Sequence, residues 1–510
     1  MKKILYKILY FAFFISCYSC KRETIGLNPI GSLTLEGAFS NGSNTVLTLN
    51  GAYNGLTGLA SGIPSLATAL EIKSDDAFDA FDRTATFKIC NERPNNPTVT
   101  NTWKSLYATI QRSNLVISKV GTVPFTTSEL AAGLKESIAG QALFLRGLSY
   151  YWLVNLYGGV PLITEYSDNP EASKIAGSTI AEVYAQIIKD LTDAAGKLPL
   201  KSALNGSNGF EKGRATQGAA YGLLAEINLT NGKWQDAVDA ANKVINSNEY
   251  DLRTTADYQN NFRGLDENGL ESIFEIQYSS SSNAPTSGLS YFYCVPQAPG
   301  AVGGYFGGPC TNDNGDLPNY IGSIGNGLMQ EWESGDIRKD VVLTTFGVPN
   351  PIDPTKPDLW LPYKYFSDHR LPSGNSSVNY VVLRYSRTLL TKAEALNELG
   401  AGNTEAIGIV NSIRARAELA PLPVNVTADQ NLFRQAIWKE RRLELCYEGT
   451  RYFDLLRTGR YLSILEGIQG LSVPHSRLVK NPFTQMDWYL WPIPQEEMDT
   501  NPQIKQNPGY

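Results

Sequence analysis

Apolar positions along this chain recur mostly at helical spacing. In residues 101–120, Trp103, Leu106, Tyr107, Ile110 and Ile117 fall on one helical face. The same periodicity runs through 128–157, where Gly158-Gly159 and then Pro161 stop it. Thr179-Ile-Ala-Glu182 has the form of a capping box ahead of Val183, Ile187 and Leu191. Two further segments share a plan. In 221–245 an alanine-rich helix ends at Asn231-Gly232, and the next helix carries Trp234, Ala237 and Ala241. In 389–417 a similar helix ends at Gly400, and its partner carries Ala406 and Val410. Between about 251 and 380 the pattern changes. Residues 272–278 alternate like a short strand. A stretch rich in Ser, Gly, Pro and Tyr then runs from 279 to about 324. Loops that long are usually functional or disordered, and the many aromatics among few charges argue against disorder.

Helix, glycine turn and helix, with alanines at the contacts, resembles tetratricopeptide units. Their scattered placement indicates several units embedded in one domain rather than a solenoid. The chain of 510 residues is too long for one small core, which implies one multi-lobed unit or two closely packed domains. With 42% apolar and 18% charged residues it is neither disordered nor a coiled coil. Lys+Arg 44 against Asp+Glu 50 leaves a net charge of −6, without the basic excess of a nucleic-acid binder. The only histidines, His369 and His475, lie far apart, which removes HExxH and His-rich metal sites. No GxxxxGK[ST] or GxSxG occurs. With 50 acidic residues, a paired-carboxylate glycosidase stays open on composition alone.

Lys2 and Lys3 precede an apolar run, 4–15, that ends in Ser16-Cys17-Tyr18-Ser19-Cys20. The run is of signal-peptide length, whereas a spanning helix needs about 20 residues. A cysteine directly after such a core resembles a bacterial lipoprotein signal, with residues 1–19 removed and Cys20 acylated. Cys17, preceded by Ser16, is the competing site, and ordinary secretory cleavage is the alternative. Acyl chains contribute about 0.8 kcal/mol per buried CH₂, enough in combination to anchor the protein without a spanning helix. Export permits disulfides, and Cys294 and Cys310 flank a Gly- and Pro-rich segment that they are placed to staple. Cys446 lies on an apolar helical pattern and reads as a buried thiol.

Several motifs, in order, resemble the SusD/RagB family of outer-membrane nutrient-uptake lipoproteins. They are Trp103-Lys-Ser-Leu-Tyr107 continuing to Asn114, Arg146-Gly-Leu-Ser-Tyr150, and Tyr157-Gly-Gly-Val-Pro-Leu162. Residues 384–399 follow with an arginine, a Leu-rich helix and Ala-Glu-Ala. The most specific block is Glu440-Arg-Arg-Leu-Glu444 with Glu448-Gly-Thr-Arg451-Tyr-Phe-Asp454-Leu-Leu-Arg457. Trp491-Pro-Ile-Pro494 and Gln506-Asn-Pro-Gly-Tyr510 close the match. The resemblance implies a mainly α SusD-like fold in which tetratricopeptide-type helix pairs support an irregular, loop-rich region with short strands. An N-terminal region would span 20–265 and a C-terminal RagB/SusD region 266–510. It also implies a cell-surface lipoprotein of the outer membrane that binds oligosaccharides and passes them to a SusC-like TonB-dependent transporter, without catalysis or an obligatory cofactor. Peptide capture is the rival within the family; a lipid-anchored glycosidase and a purely structural scaffold are the rivals from other classes.

The charges of the 440–457 block read as paired groups that fix helix packing, since isolated buried charges are costly. Trp103, Trp152, Trp234 and Trp438 read as core, and Trp491 and Tyr510 as packing against the body. Asp75, Asp76, Asp79 and Asp82 form a dense acidic cluster, expected to be a solvated face or a hydrogen-bonding rim. A glycan site needs aromatic rings for sugar C–H faces and polar side chains for hydroxyls. Two loop regions offer both. Region 75–101 carries Phe78, Phe81, Arg83, Asn96 and Asn101; region 291–320 carries Tyr291, Tyr293, Tyr305, Phe306 and Tyr320. Labelled fatty acid should enter the wild-type protein and be lost in Cys20→Ala; label that persists there but vanishes in Cys17→Ala would move the anchor to Cys17.

Overall fold

The computed structural model describes residues 34–61, 65–79, 90–281, 284–289, 307–308, 328–344, 361–365, 376–467 and 472–510. Cys17, Cys20, Cys294 and Cys310 fall outside them. Helices α1 (Gly42–Thr57) and α2 (Leu66–Ile72) lead into a two-residue strand, β1 (Phe78–Asp79). Four long helices follow: α3 (Pro97–Lys119), α4 (Leu134–Tyr157), α5 (Ile180–Ala195) and α6 (Gln217–Thr230), the last paired with α7 (Trp234–Ile245). Short strands β2 (Ser272–Ile276), β3 (Gly307–Gly308), β4 (Leu343–Thr344), β5 (Leu361–Pro362) and β6 (Tyr380–Arg384) occupy the irregular middle. Helices return with α8 (Tyr385–Leu399), α9 (Thr404–Arg416), α10 (Gln430–Leu445) and α11 (Arg451–Arg457), before a terminal hairpin, β7 (Leu478–Lys480) and β8 (Asp487–Tyr489).

The helices form a continuous array in which α3 packs on α4, α4 on α5, and so on to α8, which carries both α9 and α10. Helix α4 is apolar almost all round and lies at the centre, buried from Leu143 to Tyr157. Gly147 lets α5 approach closely, because a Cβ there would meet Leu191 Cδ2 at 3.1 Å. The alanines expected at the helix-pair contacts do sit there: Ala237, Ala393, Ala395 and Ala406 share a cluster with Leu229, Val410 and Phe433. Thr179 and Glu182 form the capping box. The main core runs from Val46 to Ile504, with residues on both sides of position 265 contributing.

Three expectations need adjustment. The helix over 101–120 begins earlier, at Pro97, because Asn96 accepts hydrogen bonds from Thr98 N and Val99 N and proline suits the first turn. The stretch 128–157 is two helices, Thr127–Ala131 and α4, broken where Gly133 takes φ 75° in the left-handed region. Strand β2 pairs with β6 antiparallel, yet all five of its residues are buried, so its alternation marks no solvent face. Its charged member, Glu275, is satisfied by Asn268 N and Asn379 Nδ2.

The 440–457 block lies at the centre of a buried ionic network, as its charges led one to expect. Glu440, Arg441, Arg442 and Glu444 of α10 are at most 3% exposed. Glu444 meets Arg384 at 2.5 Å and Arg338 at 3.1 Å, and also pairs with Arg416. Burial alone would raise the Glu444 carboxyl; Arg416, Arg384 and Arg338 hold it well below the usual carboxylate range. Arg441 joins Glu226 of α6 at 2.8 Å to Asp454 of α11 at 2.9 Å, and Arg457 links Asp454 to Glu394 of α8. Cys446 is buried, and burial pushes its thiol up to about 12.

Trp103 and Trp152 are 4% and 6% exposed, as core residues should be. Trp438 is half-buried, donating to Glu394 Oε1 and covered by Arg460 at 4.1 Å. The tail packs on the body: Trp491 is fully buried, Trp491 N donates to Leu156 O, and Tyr510 OH donates to Leu490 O. Replacing Arg441 with Met would strand Glu226 and Asp454 beside fewer cations. Removing one partner of a buried pair costs about 3–5 kcal/mol, and guanidinium chloride unfolding of Arg441→Met should show a loss of that order.

Candidate functional site

The two loop regions singled out from sequence come together through backbone pairing. Phe78 lies opposite Gly308 and Asp79 opposite Gly307 in an antiparallel two-residue ladder. The ladder is short, so what stands beneath it decides whether the loops are held.

That base is charged and buried. After α2 the chain passes through Lys73, Ser74, Asp75, Asp76 and Ala77, all at most 2% exposed, before entering β1. Asp75 receives two bonds from Arg451, at 2.7 and 2.9 Å, and a third cationic contact from Arg442 at 2.9 Å. Asp76 pairs with Arg442 at 2.7 Å. Burial raises the Asp76 carboxyl, Arg442 draws it back, and Asp75 alongside raises it again. Neither a solvated face nor a hydrogen-bonding rim, the two expectations for this acidic cluster, describes Asp75 and Asp76, which are buried. Arg442 and Arg451, more than 360 residues further along, turn them into an internal clamp. Arginines and carboxylates are equal in number within the 440–457 block, so nothing local in the sequence announces that Arg442 and Arg451 pair outside it.

Lys73 carries the clamp across the neighbouring segment. Its ammonium lies 3.1 Å from Glu92 Oε1, 3.3 Å from Cys90 Sγ and 3.9 Å from the centre of the Tyr489 ring. Cys90 itself has φ 52°, and its carbonyl accepts from Arg477 at 2.6 Å. Residues 73–79 and 90–92 are thus tied to each other and to the body of the protein. Loop ends fixed in this way reduce the ordering cost of binding.

Comparison with known proteins gives this geometry a family. A model described as "SusD family" matches residues 338–510, and one described as "Starch-binding associating with outer membrane" matches 48–229. The chain belongs to the SusD family. SusD-like protein P2 of Formosa agariphila is 29% identical over the whole length of both chains. A SusD superfamily crystal structure from Parabacteroides distasonis is 25% identical with a TM-score of 0.70, covering 91% of this chain and 99% of that one. A laminarin-binding SusD-like protein is 24% identical with a TM-score of 0.69, over 92% of this chain and 100% of that one. The mainly α SusD fold, with its helix pairs and short strands, is the one described above.

Within this SusD-like framework the candidate ligand residues separate. Asn96 is half-buried, its side-chain oxygen committed to the start of α3, while Asn101 is exposed in the second turn of that helix. The backbone of Phe78 lies in β1. Phe81, Arg83, Tyr291, Tyr293, Tyr305, Phe306 and Tyr320 lie outside the described residues. Sequence reasoning passed over a concavity of about 840 Å³ between α3 and segment 161–175, which includes Tyr166 and Gln111 in its lining. From sequence that segment reads only as a helix stop; the aromatic Tyr166 among polar neighbours was the available signal. Among the described residues no helix is long and apolar enough to cross a membrane, and no His/Cys/Asp/Glu group could hold a metal ion.

Glu71 completes the base. Its Oε1 accepts from Gly449 N at 2.5 Å, and its Oε2 has no partner among the described residues. Burial, with Asp76 nearby, raises its carboxyl to about 8. The folded state therefore keeps a proton that the unfolded chain loses near the ordinary carboxylate value of 4.5. The stability this provides is full below about 4.5 and is lost as pH rises through about 8. Urea midpoints of wild type and Glu71→Gln should accordingly show the wild type losing ground to the variant between pH 5 and 8. A constant difference would show that Glu71 is ionised in the fold.

Proposed function

We propose that this protein captures oligosaccharides at the cell surface, as a lipid-anchored outer-membrane protein, and passes them to a SusC-like TonB-dependent transporter. The observation that carries the reading is the β1–β3 pairing, which joins two aromatic- and amide-rich loop regions over a buried ionic base. Rigidly based loops suit sugars, whose weak stacking and hydroxyl contacts leave little free energy to spend on ordering a site. Membership in a family described as starch-binding and associated with the outer membrane supports the ligand class and the location. The laminarin-binding relative supports the same ligand class. Anchoring through Cys20 fits the short apolar leader.

The way the conspicuous acids are used supports a binding role. Glu440, Glu444 and Asp454 are each engaged by two or more arginines, and Asp75 and Asp76 are engaged by Arg442 and Arg451. Carboxylates so paired are poor general acids and nucleophiles. Calorimetry on a glycan library should find a ligand whose affinity falls about tenfold in at least one of Tyr293→Ala, Tyr305→Ala and Tyr320→Ala, the size expected for a lost stacking contact. The protein should co-purify with a TonB-dependent transporter and release no reducing ends from the bound glycan. Unchanged binding in all three folded variants would place the platform elsewhere, and steady hydrolysis would sink the non-enzymatic reading.

A further inference from the structure

The groove between α3 and segment 161–175 is built independently of the β1–β3 loops, and its construction points to a ligand. Its back wall is fixed carbonyl by carbonyl. Tyr107 OH donates to Pro161 O at 2.8 Å, and Asn114 Nδ2 donates to Ile163 O at 2.9 Å. Ile163 N donates to Tyr150 OH at 2.7 Å, and Arg146 Nη1 donates to Thr164 O at 2.8 Å. Arg146 is itself immobilised by Asp190, at 2.6 and 2.8 Å, and by Asn114 Oδ1. The far end of the segment is held by the C-terminal tail, through Asn501 Nδ2 to Ile175 O and Gln503 Nε2 to Lys174 O. Such a wall is organised before any ligand arrives.

The lining has the chemistry of a polyol site. Tyr107 and half-buried Tyr166 present ring surface, and exposed Gln111 presents an amide, within a volume of about 840 Å³ that falls in the usual range for ligand pockets. Charge narrows the class. Lys104 is the only basic residue among the lining residues, and it is neutralised by Glu496, whereas Glu165, Asp168 and Glu497 also line the groove. A wall of that sign disfavours sulfated or uronic sugars. Exposed Asn101 lies one helical turn before Lys104 on the same side of α3, and Gln111 lies about 15 Å further along the helix axis than Asn101. Asn101, the last residue of loop region 75–101, thus lies just beyond the Trp103–Lys104 end of the groove lining.

We infer that this groove is a second saccharide site, selective for neutral oligosaccharides, which grips a chain whose other end is held at the β1–β3 loops. The inference rests on the glycan-binding reading and adds a second point of attachment to it. Two contacts on one chain raise affinity for long oligosaccharides over short ones without any new contact at the first site. Hydrogen exchange and calorimetry should be run with neutral gluco-, manno-, xylo- and galacto-oligosaccharides, short and long, and with sulfated counterparts. A bound neutral oligosaccharide should slow exchange in 161–173 and 103–111. Tyr166→Ala and, separately, Gln111→Ala should abolish that protection and reduce the preference for long chains about tenfold, while protection around 78–79 and 307–308 persists. Protection confined to the loops, or equal binding of sulfated chains in the groove, overturns this site and leaves the loop site standing. Absence of binding to any glycan overturns both.

Discussion

The fold turns on the cost of burying charge along α10. Taking an arginine or a carboxylate out of water costs several kcal/mol per ion, and only complete pairing with good geometry offsets it. Consecutive residues of a helix point about 100° apart, so Glu440, Arg441 and Arg442 address different neighbours. Glu440 and Glu444 reach Arg338, Arg414, Arg384 and Arg416; Arg441 reaches α6 and α11; Arg442 reaches Asp75 and Asp76 below β1. The partners are spread over several separate elements, with Arg414 and Arg416 sharing α9 and Asp75 and Asp76 sharing one segment, and a shift of any of these by one turn would leave an ion unpaired in the interior. Hydrophobic burial supplies the driving force for compaction, but apolar contacts tolerate sliding. The ion pairs do not, and they commit the helical array, the β2–β6 pair and the loop base to one mutual arrangement.

This explains which features were readable along the chain. Periodicity exposed the helices because α3, α5 and α7 each bury one stripe, and the capping box at Thr179 is a purely local signal. The small residues at the helix-pair contacts were equally local. Asp75 and Asp76 were misread because their environment is non-local: four acids within eight residues look solvated until Arg442 and Arg451 are brought beside them. The break at Gly133 was hidden by apolar positions continuing in phase through it, and only the left-handed backbone there separates the two helices. Strand β2 alternates in sequence and yet lies in a place without a solvent side, since both of its faces are covered.

The candidate site was legible to a different degree. Amides and aromatics led to the two loop regions, and the β1–β3 ladder pairs a residue stretch of one with a residue stretch of the other, a pairing that no local pattern encodes. Asn96 shows the limit of reasoning by residue type: an asparagine in a polar loop before a helix serves the helix first, because the free N–H groups of the opening turn need an acceptor. The groove beside α3 was invisible for a related reason. Its floor is made of backbone carbonyls clamped by Tyr107, Tyr150, Asn114 and Arg146, residues whose spacing marks them as helix interior.

A physical division of labour follows from these arrangements. A binding protein that must accept a flexible, strongly hydrated chain cannot rely on a deep apolar pocket, so its affinity depends on keeping weak contacts in fixed positions. Here fixation is assigned to groups that never need to touch the ligand: Arg442 and Arg451 under β1, Lys73 and Glu92 across the adjoining segment, and Arg146 with Tyr150 behind 161–164. Side chains on the outer face of such supports are free to change without disturbing the pairs beneath. On the proposed function, substitutions in the loops or along the groove would alter which sugar is held, whereas substitutions in the pairs would alter whether anything is held at all.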